Sequence, residues 1–260
     1  MFNRLLNLDL AIYPFKIARK KIFNISLRTI SSKIYYSFMK LRYRANSSEN
    51  KLDFDWGSLN FNRTALLNFI IANHPKNVKC NYLEIGCASN INFDSICLKN
   101  KVGVDPDMGG TLRLTSDDYF SKYKESKFDL IFLDGLHTYK QTKKDLLNAL
   151  YVLNDGGIIV LDDFIPRDWM EHFTPRVQTQ WNGDIWKISF ELLNAKGIEF
   201  KILTIDGGQC VIFRKNEKTF LPDYYEDFKD LNFDYLYENF SRLPIINLEE
   251  GLNWIKESLE

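Results

Sequence analysis

The pattern of apolar and polar positions divides the chain into three parts. From Cys80 onward, short apolar runs alternate with stretches of helical period: Tyr82 to Ile85, Val102 to Val104, Leu112 to Leu114, Phe128 to Leu133 and Ile158 to Leu161. Largely apolar runs of three to six residues separated by helical patterns predict a parallel sheet covered by helices on both faces. Two further runs, Phe200 to Ile205 and Cys210 to Phe213, flank Asp206-Gly207-Gly208-Gln209, whose glycines suit a tight hairpin turn. The pattern therefore predicts an α/β, doubly wound sheet of seven strands, mostly parallel, with an antiparallel pair at its end.

Before this domain, Leu27, Ile30, Ile34, Phe38 and Leu41 recur three or four apart, with Arg28, Lys33, Lys40 and Arg42 off the stripe. That spacing predicts an amphipathic helix. The polar run from Ala45 to Lys51 reads as a linker, so residues 1–52 form a helical arm and linker, 53–216 the main domain and 217–260 an extension. From Thr138 to Gln141 the chain carries a Thr-x-x-Gln capping box, which predicts a helix with an apolar face at Tyr139, Leu146, Leu150 and Leu153.

Charge sharpens this division. Lys and Arg number 34, as do Asp and Glu, and zero net charge argues against a general nucleic-acid binder. Residues 1–44 nevertheless hold ten bases and one acid, Asp9, which leaves −9 on the remainder. The segment from Leu221 to Glu260 has ten acids, three bases and many aromatic residues. It is too aromatic for a disordered tail, and its charge suits packing against the basic arm, within one subunit or in a homo-oligomer. Cys80, Cys87, Cys97 and Cys210 show neither zinc-site nor disulfide spacing, which fits a reducing cytoplasm. No apolar run reaches the roughly 20 residues of a membrane helix, and the start lacks the order of a signal peptide.

Ligands of a parallel sheet bind at the carboxyl ends of its strands. The first strand runs into Glu84-Ile-Gly86-Cys-Ala88-Ser89-Asn90, where Gly86 permits close backbone approach and the next helix would present its N-terminal amides. Asn90 tolerates a left-handed backbone. Asp105 closes the second strand about twenty residues after the glycine loop, where an acid accepts hydrogen bonds from ribose hydroxyls; Asp105-Pro106 also reads as a turn signal. Thr115, Ser116 and Asp117 close the third strand, beside an adenine or as a helix cap. The loop is similar to the cofactor loop of methyltransferases, with Asn90 where a glycine is usual. The layout of parallel strands and terminal hairpin resembles that of the class I, S-adenosylmethionine-dependent methyltransferases. Cofactor contacts are therefore expected from Glu84, Gly86, Ala88, Ser89, Asn90, Asp105, Ser116, Asp117 and Asp134.

Asp134-Gly-Leu-His137 follows the fourth strand and Asp162-Asp163 the fifth. Adjacent strands lie about 4.8 Å apart, so these carboxylates can converge on one hard cation such as Mg²⁺ or Mn²⁺. Each acid alone would serve equally as a turn former. His137 stands at a helix start beside the proposed cation, an address that disfavours protonation and suits a general base.

From Tyr82 to Asp163 the chain resembles the metal-dependent sugar O-methyltransferases, including those of macrolide sugars and of bacterial capsule clusters. The resemblance implies metal ligation by Asp134, Asp162 and Asp163, with His137 as base. Arg167, Trp169, Arg176, Trp181 and Asp184 lie in a basic, tryptophan-rich loop that could stack on a sugar and pair with phosphate, or form a structured loop with core tryptophans. The expected activity is methyl transfer from S-adenosylmethionine to a sugar hydroxyl, of a nucleotide-linked sugar such as a GDP-heptose for capsule synthesis. A phenolic or other small-molecule acceptor, and a non-catalytic cofactor-binding subunit, are the alternatives.

Overall fold

The computed structural model describes residues 21–22, 25–216 and 218–260, with side chains from Ser32 onward. Much of the arm expected over residues 1–52, including the side chains of Leu27, Arg28 and Ile30, therefore lies outside the described residues. A short ribbon, Lys21–Ile22 with Ile25–Ser26, leads into helix α1 (Leu27–Arg42).

The central sheet has seven strands: β1 (Tyr82–Ile85), β2 (Lys101–Val104), β3 (Phe128–Leu133), β4 (Leu153–Leu161), β5 (Ile198–Leu203), β6 (Gln209–Arg214) and β7 (Ile245–Ile246). Their order is β2-β1-β3-β4-β6-β5-β7. The first four are mutually parallel, β6 runs antiparallel between β4 and β5, and β7 is parallel to β5. This is an α/β, Rossmann-like sheet, with the antiparallel hairpin inserted beside β4.

Which strands make up the seven differs from the sequence expectation. Leu112 to Leu114 forms no strand; Leu112 makes a single bridge to Val104. The Asp107–Gly110 turn brings the chain straight back onto β2, where the Gly103 carbonyl accepts from both Thr111 N and Leu112 N at 2.7 and 2.9 Å. The seventh strand comes instead from the acidic extension, as β7.

Successive side chains of a strand point to opposite faces, and here both faces are apolar. Leu83, Ile85, Ile131, Leu133, Ile159 and Leu161 belong to one core, and Tyr82, Leu130, Phe132, Ile158 and Val160 to the other. Helices α5 (Tyr139–Val152), α7 (Lys187–Leu192) and α9 (Phe233–Asn239) contribute to the first core. Helices α2 (Arg63–Asn73) and α10 (Leu248–Leu259) contribute to the second. The extension thus packs on its own domain: Trp254 meets Phe213 edge-on and its indole N–H donates to Glu199 at 2.9 Å. Asn247 and Glu250 form a capping box at the start of α10.

The expected capping box at α5 is absent. Thr138 occupies the N-cap position without a side-chain bond, and the Tyr139 amide donates to Asp184 Oδ1 at 2.8 Å. Gln141 turns away to Ser116, Asp117 and Asp145. A carboxylate 45 residues downstream does the capping, which no local signal announces.

Candidate active site

Register creates the site. Val104, Ile85, Leu133 and Leu161 are aligned across β2, β1, β3 and β4, so the residues that follow, Asp105, Gly86, Asp134 and Asp162, leave the sheet at one edge. Gly86 is required there by packing. At φ +95° its Cβ would stand 1.9 Å from the Asp134 carbonyl oxygen, so the first loop lies directly on the end of β3.

His137 lies between two carboxylates. Its Nε2 is 3.0 Å from Asp134 Oδ1, and its Nδ1 is 3.2 Å from Asp163 Oδ2 and 3.0 Å from the Trp181 carbonyl. Burial works against the imidazolium, but the Asp134 hydrogen bond and the Asp163 and Asp134 charges outweigh it and raise the pKa to about 9. The neutral imidazole expected from its position at a helix start is therefore not the form favoured by these neighbours. A helix dipole acts like a fraction of a charge, whereas two full carboxylates sit at hydrogen-bond distance. Burial also raises Asp163, reinforced by Asp134 and opposed by His137. His172 shows the opposite outcome: buried, near Lys187, and accepting the Trp186 indole N–H at 2.8 Å, it is lowered to about 4.

The segment Trp181-Asn-Gly-Asp184 supports this cluster residue by residue. Trp181 stacks on His137 with ring centroids 5.4 Å apart. Asn182 donates to Asp163 Oδ1 at 3.1 Å and to the Gly207 carbonyl at 3.2 Å. At Gly183, φ +73°, a Cβ would meet the His137 carbonyl oxygen at 1.8 Å. Asp184 caps α5 and pairs with Lys187 at 3.0 Å. Asp184, expected as a substrate contact, is thus committed to the scaffold.

Arg63, at the start of α2, is the cation that the sequence did not reveal. Its Nη1 lies 3.1 Å from Asp134 Oδ2 and contacts Asp162 Oδ2, and its Nε lies 2.8 Å from Asp206 Oδ2. Asp206 was read only as part of a turn; its φ of +42° aims it at this arginine. The spacing of 71 residues between Arg63 and Asp134 left no local signal.

The edge therefore gathers four carboxylates, Asp134, Asp162, Asp163 and Asp206, around one guanidinium and one imidazole. Asp134, His137 and Asp163 each offer a donor atom, and these atoms lie within 4.8 Å of one another. Ligands across an ion with bonds of about 2.1 to 2.4 Å stand about 4.2 to 4.8 Å apart, so the set fits a divalent cation. Asp162 falls outside this set, contrary to the ligand role expected for it. It is buried, its Oδ1 accepts from the Asp163 amide at 2.9 Å and from Gln209, and its Oδ2 faces Arg63.

The β1–β2 side of the edge is built differently. Asp105 Oδ2 accepts from Ala88 N at 2.9 Å, and Oδ1 from Asp107 N and Met108 N, both at 2.8 Å. A carboxylate has about four lone-pair sites, which leaves one on Oδ2 for a ribose hydroxyl. Asn90 adopts a left-handed backbone, φ +65°, and its Oδ1 accepts from Gly110 N at 2.6 Å. Ala88 and Ser89 are exposed. Helix α3 (Ile91–Ser95) has only five residues, so its dipole is weaker than the sequence suggested. Glu84 is buried; its Oε2 accepts from Tyr82 Oη at 2.6 Å and Asn92 Nδ2 at 2.9 Å, and burial raises its pKa to about 7. Ser116 and Asp117 open α4 (Ser116–Lys122) behind the Thr115 cap; Asp117 pairs with Lys144 at 2.7 Å.

Three further predicted substrate residues are engaged within their own loop. Arg167 clamps Glu171, Trp169 meets Phe173 edge-on at 6.0 Å, and Arg176 donates to the Gln178 carbonyl at 2.8 Å and lies over Trp181 at 5.7 Å. Of the loop, the ring of Trp181 is the group that reaches His137.

A family model described as a methyltransferase domain matches residues 103–164. That stretch contains Asp105, Asp134, His137, Asp162 and Asp163. No curated protein matches the chain in sequence. Among solved structures, a Corynebacterium glutamicum protein is 15% identical, with a TM-score of 0.46 over 72% of this chain and 91% of that one. An O-methyltransferase from Bacillus cereus, in complex with S-adenosylhomocysteine, is 14% identical, with a TM-score of 0.43 over 70% and 91%. The mycinamycin-pathway methyltransferase MycE, with Mg, S-adenosylhomocysteine and mycinamycin VI, is 14% identical, with a TM-score of 0.38 over 57% and 49%.

Proposed function

We propose that this protein is an S-adenosylmethionine-dependent O-methyltransferase that requires a divalent metal ion and methylates a sugar hydroxyl, of a nucleotide-linked sugar such as a GDP-heptose destined for capsule. The observation that carries the reading is the convergence of Asp134, His137 and Asp163 within 4.8 Å at the edge where Gly86 and Asp105 also emerge. In this reading the loop from Gly86 to Asn90 and Asp105 hold the methionine and ribose parts of the methyl donor. The acceptor hydroxyl lies against His137.

The hydroxyl oxygen attacks the methyl carbon of the sulfonium in line, and the carbon–sulfur bond breaks with no covalent enzyme intermediate. His137 acts in its neutral form, the minor one below about pH 9 beside its two carboxylates: Nδ1–H donates to the Trp181 carbonyl, and Nε2 takes the hydroxyl proton. Asp134 and Asp163 then stabilise the imidazolium, and the stacked Trp181 holds the ring in plane. Asp134 and Asp163 would hold Mg²⁺ or Mn²⁺, which supplies Lewis-acid polarisation of the hydroxyl.

The test is transfer of a labelled methyl group to a panel of nucleotide-linked sugars and phenols, with and without chelator. The reading expects a labelled sugar product that chelator suppresses. Label on phenols alone would contradict the sugar acceptor, and equal turnover in chelator would contradict the metal.

A further inference from the structure

Helix α1 has two faces. At about 100° per residue, Tyr36 and Met39 lie on one side, and they are buried, with 8% and 7% of their surface exposed. Tyr43, just beyond the helix, packs on Phe173 with ring centroids 5.0 Å apart. Tyr36 and Met39 mark the covered side of the helix, and Tyr43 ties its end to the domain. Ile34, Phe38 and Leu41 fall within an arc of about 60° on the opposite side, and they are 66%, 57% and 71% exposed. The described part of the apolar stripe, Ile34, Phe38 and Leu41, is thus exposed.

Basic residues flank that stripe. Lys33 and Lys40 project on one side of it and Arg42 on the other, and Arg44 follows just beyond the helix; Lys33, Arg42 and Arg44 are exposed. Between Asp9 and Glu49 the chain contains no acid. An apolar strip bordered by cations is the arrangement that lies in the plane of a lipid interface, with the apolar residues among the acyl chains and the cations among anionic headgroups.

A second copy fits less well. Pairing the stripe with itself brings Lys33, Lys40, Arg42 and Arg44 against their own counterparts. The acidic extension has the right charge but lacks an apolar counterpart: among described residues from Phe220 onward, the exposed large apolar side chains are Phe220 and Tyr237. Its Asp234 is already bound to Ser48 and Asn50 of the same chain.

We infer that the Ile34/Phe38/Leu41 face of α1, with its bordering Lys and Arg residues, binds an anionic membrane surface, docking the protein peripherally. No described helix is long and apolar enough to cross a membrane. Through Tyr43 and Phe173, whose carbonyl accepts the Trp181 indole N–H at 2.8 Å, the docked arm is continuous with the candidate site.

The experiment is sedimentation of the full chain with vesicles of phosphatidylcholine alone and of phosphatidylcholine mixed with phosphatidylglycerol, with molar mass measured by light scattering in parallel. The expected result is binding to the anionic vesicles, weakened by salt and by about tenfold or more in each of two variants, I34S/F38S/L41S and K33Q/K40Q/R42Q/R44Q. These positions border solvent, so circular dichroism and melting should be unchanged. Failure to sediment with anionic vesicles, or equal binding by the triple variant, overturns the inference. So does a full chain that binds no lipid and whose dimer mass falls to a monomer in the triple variant, which would assign the face to a second copy.

Discussion

The two halves of the sheet's carboxyl edge both carry aspartates at strand ends, and they hold them in opposite ways. At β2, Asp105 is bound by three backbone amides of its own and the neighbouring loop. At β3 and β4, Asp134 and Asp163 are faced by cationic side chains, His137 and Arg63, and by Asn182. Backbone amides are fixed donors that come with the turn. Side-chain cations can yield their place to another cation. A carboxylate at a strand end is therefore a loop organiser where the following turn supplies N–H groups, and is left to side-chain partners where it does not. The same contrast separates the two buried histidines: His137 meets carboxylates and is raised to about 9, while His172, buried near Lys187, is lowered to about 4.

The largest effect that sharpens this contrast is expected at His137. His137→Ala should lower kcat by roughly 10² to 10⁴, with S-adenosylhomocysteine affinity unchanged by calorimetry. A variant that loses cofactor affinity instead would place the histidine on the wrong half of the edge.

Next comes Glu84, the buried acid of the β1 side. The folded protein keeps its proton up to about pH 7, whereas the unfolded chain releases it near 4.5, so stability falls as pH rises through that window and remains lower above it. At about 1.4 kcal/mol per unit the cost above pH 7 is about 3 kcal/mol. Glu84→Gln keeps an oxygen for Tyr82 and Asn92, and should be more stable than the parent at pH 8 by up to that amount and equal to it near pH 4. Urea denaturation at the two pH values measures this; a variant no more stable at pH 8 would mean that the ionised carboxylate is better solvated than its burial indicates.

Asp105→Ala removes the carboxylate proposed to accept from the ribose, and each charge-assisted bond is worth roughly 1.5 to 3 kcal/mol. Affinity for S-adenosylhomocysteine should fall accordingly. Unchanged affinity would make Asp105 solely a loop organiser. The smallest effect is expected at Asp184, whose replacement by Ala removes the cap of α5 at a cost of about 1 kcal/mol, read as a lower melting temperature with metal affinity nearly intact.

What was legible in the sequence was local. Continuous apolar runs marked β1, β3 and β4 because both faces of a parallel sheet are covered, and the acids directly after them marked the edge. The missing third strand was not legible, because Leu112 to Leu114 has the composition of a strand while the amides of Thr111 and Leu112 are spent on the Gly103 carbonyl of β2. The stripe of α1 was visible, but periodicity cannot say which face of a two-faced helix docks. The groups that tune the cluster, Arg63, Asn182, Asp184 and Asp206, come from 19 to 143 residues away from their partners. Only the fold brings them together.

The central claim is that Asp134 and Asp163, and not Asp162, would hold the ion, with His137 beside it as the base. Calorimetric titration of Mn²⁺ into the parent protein, Asp163→Ala and Asp162→Asn tests it directly. The account predicts that Asp163→Ala weakens binding by at least about 100-fold, above the 10–100-fold typical of residues that only support a ligand, while Asp162→Asn stays within that supporting range. Equal affinity of the parent and Asp163→Ala, or a greater loss in Asp162→Asn, would contradict it.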